Sequence, residues 1–350
     1  QRVKTLIKTF LNFINAFAIL GLSLSYLSPF VDPQDFWIIS FFGLTYTFWL
    51  GINIIFLLLW ILSLKRRGIY NALILIVGFQ FTARNVQFNT SSKTSSDIKV
   101  CSFNTHVQEL YYGGNTSQKI DQYLTNQKYD IALLLEWLNN EGTINNSAYP
   151  YQKFISTQED NPQRNYGLKL VSKYPILNWE RIRYDHNTSN LAVIFDVDID
   201  GKIIRFVGVH LQSNKVSPKD YQTLINSSLD EEYKTYALEF IHRLKRLSQL
   251  RSKQTKTILE SIENSPYPVI IMGDFNDTPQ SYTYQQLQKG REDAFIEKGT
   301  GWGATYLKPL PFLRIDYIIH DKELQCTDYK SSTSIKSDHS LIEASFKILK

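Results

Sequence analysis

Eight polar residues, each at or near the end of an apolar stretch, have side chains that can transfer protons or bind a hard cation. The clearest segment runs from Ile271 to Thr278, where an apolar run delivers Asp274 and Asn276 into a turn. The two-residue period of a β-strand predicts that these two side chains lie on the same side. The other six residues are Asn104, Glu136, His210, Asp316, Asp338 and His339.

This set combines oxygen ligands with acid–base groups. Carboxylates such as Glu136 and Asp338 suit Mg²⁺, which keeps several water ligands and accepts substrate oxygens. A histidine beside a carboxylate is an oriented proton donor or acceptor. A hard cation, a water nucleophile and neutral hydrogen-bond donors together predict attack at phosphorus. Each residue alone also has an ordinary interpretation: an Asx turn at Asp274, a capping residue at Glu136 or a core histidine at His210.

Composition sets only broad limits. The 350 residues exceed one average domain, and the net charge of +5 permits an anionic partner without requiring one. The two cysteines, Cys101 and Cys326, match no metal-binding spacing. We predict that both are free buried thiols, with a single disulfide between them as the alternative.

The first 88 residues have the composition of a transmembrane module. Uncharged apolar runs predict spans at about 9–28 and 36–63, and a shorter run predicts a third span at 69–86. Two buried helices of a soluble core are the alternative, but such cores rarely use uncharged runs this long. A cleaved signal peptide fits poorly, because the apolar stretch is too long and is repeated.

Basic residues predict the orientation of this module. Arg2, Lys4 and Lys8 precede the first span, and Lys65 to Arg67 follow the second, so both clusters are expected in the cytoplasm. Three spans then place the rest of the chain on the outer, periplasmic side of the inner membrane, whereas two spans place it inside. We expect three spans, with the lipid bilayer as a partner. The same segment is also compatible with a contact to another membrane protein.

A Ser/Thr-rich stretch at 89–97 predicts a flexible linker, and residues 98–350 alternate strand and helix patterns. Helical periodicity occurs at Gln118–Asn126 and Glu232–Glu263, and Asp200-Gly201 predicts a hairpin turn. Many strands with few helices predict an α/β sandwich of two sheets packed face to face and flanked by helices. The predicted strands are Ile98–Phe103, Ile131–Leu135, Leu168–Ser172, Leu191–Val197, Ile203–Val209, Pro268–Met272, Ile315–Ile319 and Ala344–Ile348.

The motifs of residues 98–350 resemble those of the endonuclease/exonuclease/phosphatase superfamily, and within it those of deoxyribonucleases and sphingomyelinases. Together with the predicted spans, the chain resembles a membrane-anchored bacterial member. The motifs occur in the family's order: Ser102-Phe103-Asn104, Leu135-Glu136, Val209-His210-Leu211, Gly273-Asp274-Phe275-Asn276, Arg314-Ile315-Asp316-Tyr317 and Ser337-Asp338-His339. The resemblance implies a four-layer α/β sandwich and metal-dependent hydrolysis of a phosphoester, with Mg²⁺ or Mn²⁺ as cofactor.

The resemblance also implies roles for individual residues. Glu136 would be the main metal ligand, with Asp338 and Asn104 near the metal. Asp274 would orient or deprotonate the attacking water or protonate the leaving oxygen, and His210 would be a second acid–base group. Asn276 and His339 would contact the phosphate, with Asp316 orienting His339. Thr305 stands where some members place a hydroxyl that contacts phosphate.

One residue departs from the family pattern, and the motifs do not specify the substrate. His106 occupies the position at which abasic-site endonucleases carry a metal-binding Asp, which argues against that branch and leaves the number of metals open. The first functional hypothesis is a membrane-anchored phosphodiesterase that cleaves nucleic acid. A phospholipase C-like or lipid-phosphate hydrolase is the alternative, and a non-catalytic docking module is a third.

Overall fold

The computed structural model describes residues 2–90, 95–107, 116–139, 144–157, 166–185, 188–214, 220, 223, 231–308 and 310–349. Residues 2–85 form a helical module. The described residues from 86 onwards form a sandwich of two β-sheets with helices on its outer faces. The helices of the module are α1 (Arg2–Leu27), α2 (Pro33–Phe36), α3 (Ile38–Leu44), α4 (Tyr46–Leu62), α5 (Gly68–Val77) and α6 (Phe79–Ala83), with a 3-10 turn at Ser28–Phe30.

Three buried asparagines connect α1, α4 and α5. The Asn53 carboxamide donates to the backbone oxygen of Ala18 at 2.9 Å. The Asn71 carboxamide donates to the side-chain oxygens of Asn15 at 2.9 Å and of Asn53 at 3.0 Å. Because a buried carboxamide without a partner is costly, these bonds favour one arrangement of the three helices.

The contacts along α1 give the direction of its neighbours. Near its middle Asn12 accepts a hydrogen bond from Arg67, and near its end the Tyr26 hydroxyl donates to the backbone oxygen of Ile74 at 3.1 Å. The α5 helix therefore runs parallel to α1. The α4 helix runs antiparallel, because Asn53 bonds to Ala18 whereas Tyr46 lies beside Tyr26.

The segment 36–63, predicted as one span, is divided into two helices. The α3 and α4 helices meet at an angle of 65° around Thr45. The α3 helix turns towards the sandwich, where an added side chain at Gly43 would lie 2.5 Å from the backbone oxygen of Gln280. Among the described residues one helix, Thr5–Phe30, is long and apolar enough to cross a membrane; the bent pair would be a second, and α5 is a shorter apolar helix.

The first sheet of the sandwich has the strand order β13-β14-β2-β3-β5-β4, in which only the β2–β3 pairing is parallel. The α7 helix (Thr116–Gln127) packs on its outer face through Ile120 and Leu124. The strands are β2 (Ile98–Asn104), β3 (Ile131–Leu138), β4 (Tyr151–Ser156), β5 (Tyr166–Ser172), β13 (Leu324–Ser332) and β14 (Leu341–Ile348).

The second sheet has the order β10-β12-β9-β8-β7-β6, in which only β8 and β9 run parallel. Its outer face is covered by α8 (Glu231–Ile262) through Ile258 and by α9 (Tyr282–Gln288) through Leu287. The strands are β6 (Ile176–Ile182), β7 (Leu191–Ile199), β8 (Lys202–His210), β9 (Val269–Asp274), β10 (Glu292–Asp293) and β12 (Asp316–His320), and the short helix α10 (Ala294–Lys298) follows β10.

Between the two sheets lies one continuous apolar core that includes Val100, Leu133, Phe195, Phe206 and Met272. Helix, sheet, sheet and helix thus form four layers, which confirms the predicted α/β sandwich of two mixed sheets. The hairpin at Asp200-Gly201 is also confirmed, since both residues have positive φ between β7 and β8. Cys101 and Cys326 are buried and free, as predicted.

The two ends of the stretch predicted as a linker at 89–97 contact the sandwich. A short strand, β1 (Val86–Phe88), pairs with β11 (Thr300–Trp302), so the helical module ends before residue 86 and not at 88. Asn89 donates to the backbone oxygen of Ile296 at 2.9 Å. At the other end the Asp97 amide donates to the backbone oxygen of Phe346 at 2.8 Å. Residues 91–94 lie outside the described part.

Candidate active site

The parallel strand pairs place the predicted site residues at one edge of the sandwich. His210 ends β8 and Asp274 ends β9, and the two residues are register partners. Asp316 begins β12 and lies opposite Asp274 in the antiparallel pairing. An added side chain at Gly273 would lie 2.0 Å from the backbone oxygen of Val209, and its φ is +137°, so glycine is required beside Asp274.

The other sheet contributes Asn104, Glu136 and the loop of Asp338 and His339. Glu136 lies in a β-bulge of β3, between Leu134 and Trp137, with a φ of +52°. This left-handed backbone is strained for glutamate, and such strain often occurs at functional sites. The Ser337 hydroxyl donates to the backbone oxygen of Asn104 at 2.8 Å, which fixes the 338–339 loop beside the end of β2.

Asp274, Asp316 and His339 form a buried triad. Nδ1 of His339 lies 2.8 Å from Oδ2 of Asp316, and Nε2 of His339 lies 3.7 Å from Oδ2 of Asp274. The Thr305 hydroxyl accepts the backbone N–H groups of Ile315 at 3.1 Å and of Asp316 at 3.0 Å. The phosphate contact implied for Thr305 is therefore corrected, because the residue is fully buried and its hydroxyl fixes Asp316.

Burial and the neighbouring charges shift the pKa values of this triad in opposite directions. Burial lowers the pKa of His339, but the carboxylates of Asp316 and Asp274 outweigh it and raise the pKa to about 10. Burial raises the pKa of Asp274 to about 6, although the positive charge of His339 opposes this shift. At neutral pH the triad thus presents a protonated imidazole beside a carboxylate whose pKa is near the working pH of an acid–base catalyst.

Glu136 and Asp338 are two partly exposed carboxylates beside the triad, here called the open carboxylate edge: Glu136 lies next to His210, and Oδ1 of Asp338 lies 4.0 Å from Nε2 of His339. Oε1 of Glu136 lies 3.5 Å from Nε2 of His210, which in turn lies 3.9 Å from Oδ2 of Asp274. Oδ1 of Asp338 lies 3.5 Å from Nδ1 of His106. The Glu136 and Asp338 side chains are 21% and 20% exposed, against 1% for Asp274, so water reaches the edge but hardly reaches the triad.

Two groups of residues in this site have the donor chemistry to hold a metal ion. Ligand atoms of the buried triad lie within 4.8 Å of one another. In the triad, however, Nδ1 of His339 is engaged by Asp316, and the raised pKa of the imidazole disfavours the neutral form that binds a metal. The open carboxylate edge offers hard oxygen atoms that reach water, which suits Mg²⁺ better.

The two asparagines of the site are anchored by their own hydrogen bonds. Asn104 donates to Oδ2 of Asp274 at 3.1 Å, and its side-chain oxygen accepts the His106 amide at 3.0 Å. Asn276 has a φ of +53°, and its carboxamide donates to the backbone oxygen of Leu211 at 3.0 Å. The backbone amide of Asn276 donates to Oδ1 of Asp274, and this turn places Asn276 at the site. The predicted two-residue period of a strand therefore does not account for its position.

Two residues at the site were not assigned a role from the sequence. His106 contacts Asp338, and the ring of Tyr306 lies with its edge against His339, at 5.1 Å between ring centres. The position of His106 two residues after Asn104 was a usable signal. Tyr306 gave none, because its contact arises when the 305–313 segment pairs with the loop of His339.

Solved structures with this fold cover the sandwich almost end to end. A family protein from Leptotrichia buccalis C-1013-b is 18% identical, with a TM-score of 0.51, over 71% of this chain and 99% of its own. D. rerio TDP2 humanized by 14 mutations is 17% identical, with a TM-score of 0.53, over 71% of this chain and 98% of its own. The human Nocturnin catalytic domain with bound sulfate anion is 15% identical, with a TM-score of 0.52, over 71% of this chain and 93% of its own. At these identities the likeness establishes the fold alone.

Family models divide the chain where β1 begins. A model described as a domain of unknown function (DUF8431) matches residues 8–85. A model described as the endonuclease/exonuclease/phosphatase family matches residues 87–339, well over half of the chain. No curated protein matches the chain. The chain therefore belongs to the endonuclease/exonuclease/phosphatase family.

Proposed function

We propose that the chain is a membrane-anchored, divalent-metal-dependent phosphodiesterase that cleaves nucleic acid. The observation that carries the proposal is the meeting of a protonated imidazole, His339, and a carboxylate of raised pKa, Asp274, beside two water-accessible carboxylates. A hydrolase that attacks phosphorus needs positive charge for the phosphoryl oxygens and a group that accepts the proton of water. The triad and the open carboxylate edge supply both.

Each residue of the site has its own role in the proposed reaction. Nε2 of His339 and the carboxamide of Asn276 donate hydrogen bonds to the phosphoryl oxygens. Asp274 accepts a proton from the attacking water as the new P–O bond forms. His210 donates a proton to the leaving oxygen as the old P–O bond breaks. Glu136 and Asp338, with Asn104 beside them, would hold the cation; bound Mg²⁺ or Mn²⁺ supplies Lewis-acid polarisation of the phosphoryl group.

The arrangement of the helices supports an anchor with the sandwich outside the inner membrane. The Lys65–Arg67 turn lies beside the Arg2 half of α1, opposite Asn12 near the middle of that helix. The sandwich contacts the other end of the module, through Gly43 and Arg84. With the basic clusters in the cytoplasm, an up-down-up order of crossings by α1, α4 and α5 would place the site on the periplasmic side, although α5 itself has only 10 residues.

A lipid phosphoester is the second candidate substrate, because the loop after Asn276 packs on the helical module. The outer faces of α1, α4 and α5 expose apolar side chains such as Phe13, Ile55 and Leu73, which a bilayer would cover. A site held beside such a surface would meet lipid headgroups at high local concentration. Nucleic acid stays the first proposal, since anchoring alone also serves retention.

One experiment separates the candidates. The full chain in lipid nanodiscs, with and without Mg²⁺, is incubated with duplex DNA, single-stranded RNA or mixed phospholipid vesicles, beside a Glu136→Gln/His339→Ala double variant. Metal-dependent cleavage of DNA or RNA that the double variant lacks supports the proposal. Cleavage of lipid alone would replace it with the second candidate. No cleavage of any substrate by a folded protein would favour the non-catalytic docking module.

A further inference from the structure

The loop that follows Asn276 is covered by the helical module. This catalytic loop, Asp277 to Ser281, is buried along its length. The Thr278 hydroxyl donates to the backbone oxygen of Gly43 at 3.0 Å, and the Gln280 carboxamide donates to that of Phe81 at 2.8 Å. Both acceptors lie outside residues 87–339, the part that matches the family model. A loop that begins at a site residue is thus fixed by a separate part of the chain.

The backbones of α3 and the catalytic loop approach each other closely at Gly43. An added side chain at Gly43 would lie 2.2 Å from Oγ of Ser28 and 2.5 Å from the backbone oxygen of Gln280, so no larger residue fits without movement. Beside it Arg84 donates to the backbone oxygen of Pro279 at 3.0 Å and to Oε1 of Gln285 at 2.8 Å. Close packing of this kind transmits small displacements instead of absorbing them.

The sandwich holds the other side of the same loop. Nε of Arg251 lies 3.0 Å from Oδ2 of Asp277 in a buried ion pair, and the Tyr317 hydroxyl donates to the backbone oxygen of Asp277 at 2.8 Å. Asn276 lies at the start of this clamped segment, with its left-handed backbone and its bond to Leu211. A displacement of the loop by the helical module would therefore move the carboxamide of Asn276.

We infer that the helical module completes the active site, with Thr278, Gln280, Gly43 and Arg84 acting as positioning residues that hold the loop after Asn276 and so keep Asn276 in the place given by its bonds to Asp274 and Leu211. The inference builds on the proposed hydrolase function and adds to it that turnover depends on contacts made by the module. The dependence acts through geometry and not through a group that touches the substrate. A displacement of about 1 Å at a catalytic group costs up to about 100-fold in rate.

Thr278→Val tests the inference in the full chain. The substitution keeps the shape of the side chain and removes the donor to Gly43. We expect kcat on the chromogenic diester bis(p-nitrophenyl) phosphate to fall about tenfold, with KM within about twofold because substrate binding is shared by many groups. Thr278→Ser, which keeps the hydroxyl, should restore kcat. Arg84→Met, which removes the bonds to Pro279 and Gln285, is a second disruption in case Thr278→Val fails to fold.

A matched control lies in the same interface. Ser252→Ala removes the hydroxyl that donates to Oδ1 of Asp32 at 2.6 Å, a contact between module and sandwich that does not involve the catalytic loop. It should leave kcat unchanged. If Thr278→Val and Arg84→Met fold and turn over like the unsubstituted chain, or if Ser252→Ala loses as much kcat as they do, the inference is wrong. If the unsubstituted chain itself cleaves no phosphoester with Mg²⁺, the proposed function fails instead.

Discussion

The buried triad and the open carboxylate edge use the same chemical groups in opposite environments. In the triad, Asp274 and Asp316 are almost without exposure, and hydrogen bonds or ion pairs engage their oxygens. At the edge, Glu136 and Asp338 are partly exposed, each with a histidine at 3.5 Å. A dry site strengthens charge interactions and shifts pKa values, whereas a wet one leaves carboxylate oxygens accessible to a hydrated cation. Under the proposed function, the buried triad would transfer protons and the open carboxylate edge would hold the cation.

The strongest test of this division is Asp274→Asn. The substitution keeps the size of the side chain and removes the proton acceptor, so we expect kcat to fall on the order of 10³-fold. Because the defect lies in proton transfer, raising Mg²⁺ should not repair it. Single-turnover kinetics across a Mg²⁺ titration, with circular dichroism to verify folding, provide the measurement. Recovery at high Mg²⁺ would place Asp274 among the metal ligands and remove the distinction.

The converse test is Glu136→Gln at the open carboxylate edge. Loss of one charged ligand should weaken Mg²⁺ binding and lower the rate at low Mg²⁺ on the order of 10²-fold. In contrast to Asp274→Asn, a large part of the rate should return as Mg²⁺ is raised. Calorimetric titration with Mg²⁺ measures the affinity directly. Unchanged affinity together with a lost rate would assign Glu136 to the chemical step.

A smaller effect is expected at Thr305, which supports the triad from behind. Thr305→Val leaves the backbone N–H groups of Ile315 and Asp316 without their acceptor, at a cost of about 1–3 kcal/mol in the free energy of unfolding. We also expect kcat to fall about tenfold, because Asp316 no longer holds His339 in place. Thr305→Ser is the matched control and should behave like the unsubstituted chain. Urea unfolding and steady-state kinetics measure the two effects.

The smallest effect is expected at His106, a partly exposed residue that contacts Asp338. A polar contact in such a position contributes about 1 kcal/mol or less, so His106→Ala should change the Kd for Mg²⁺ by no more than about fivefold. His106→Asp, which introduces the carboxylate found in the abasic-site branch, should tighten Mg²⁺ binding instead. Both values come from the same calorimetric titration used for Glu136. A loss of binding larger than that of Glu136→Gln would make His106 a ligand.

The sequence predicted the strands whose apolar runs are continuous and the polar residues that end them. His210 and Asp274 are examples, because buried parallel strands leave a clear apolar signal. Strands β4, β6 and β13 were missed, as were the short strands β1, β10 and β11. β6 is a largely exposed edge strand, which leaves little periodicity to detect. β13 buries Leu324 and Cys326 but interrupts its apolar pattern with polar residues such as Asp328 and Lys330.

The backbone geometry of the site was not predictable in the same way. Nothing in Leu135-Glu136-Trp137 signals a bulge, because the bulge arises from the pairing with β5. The turn at Asn276 and the clamp on its loop likewise depend on residues far away in the chain, such as Leu211 and Gly43. The family motifs identified the residues, whereas their placement comes from tertiary contacts.

The pairing of β1 with β11 has a consequence for the order in which the chain folds during synthesis. Val86 leaves the ribosome long before its partner Trp302, and the interval between the synthesis of β2 and that of its partner β14 is longer still. The helices of the module can assemble early, whereas the sandwich closes only when the last strand arrives. During that interval β1 has an unpaired edge beside an apolar bundle, which is a hazard for aggregation. Yield should therefore be sensitive to the speed of translation between these two strands.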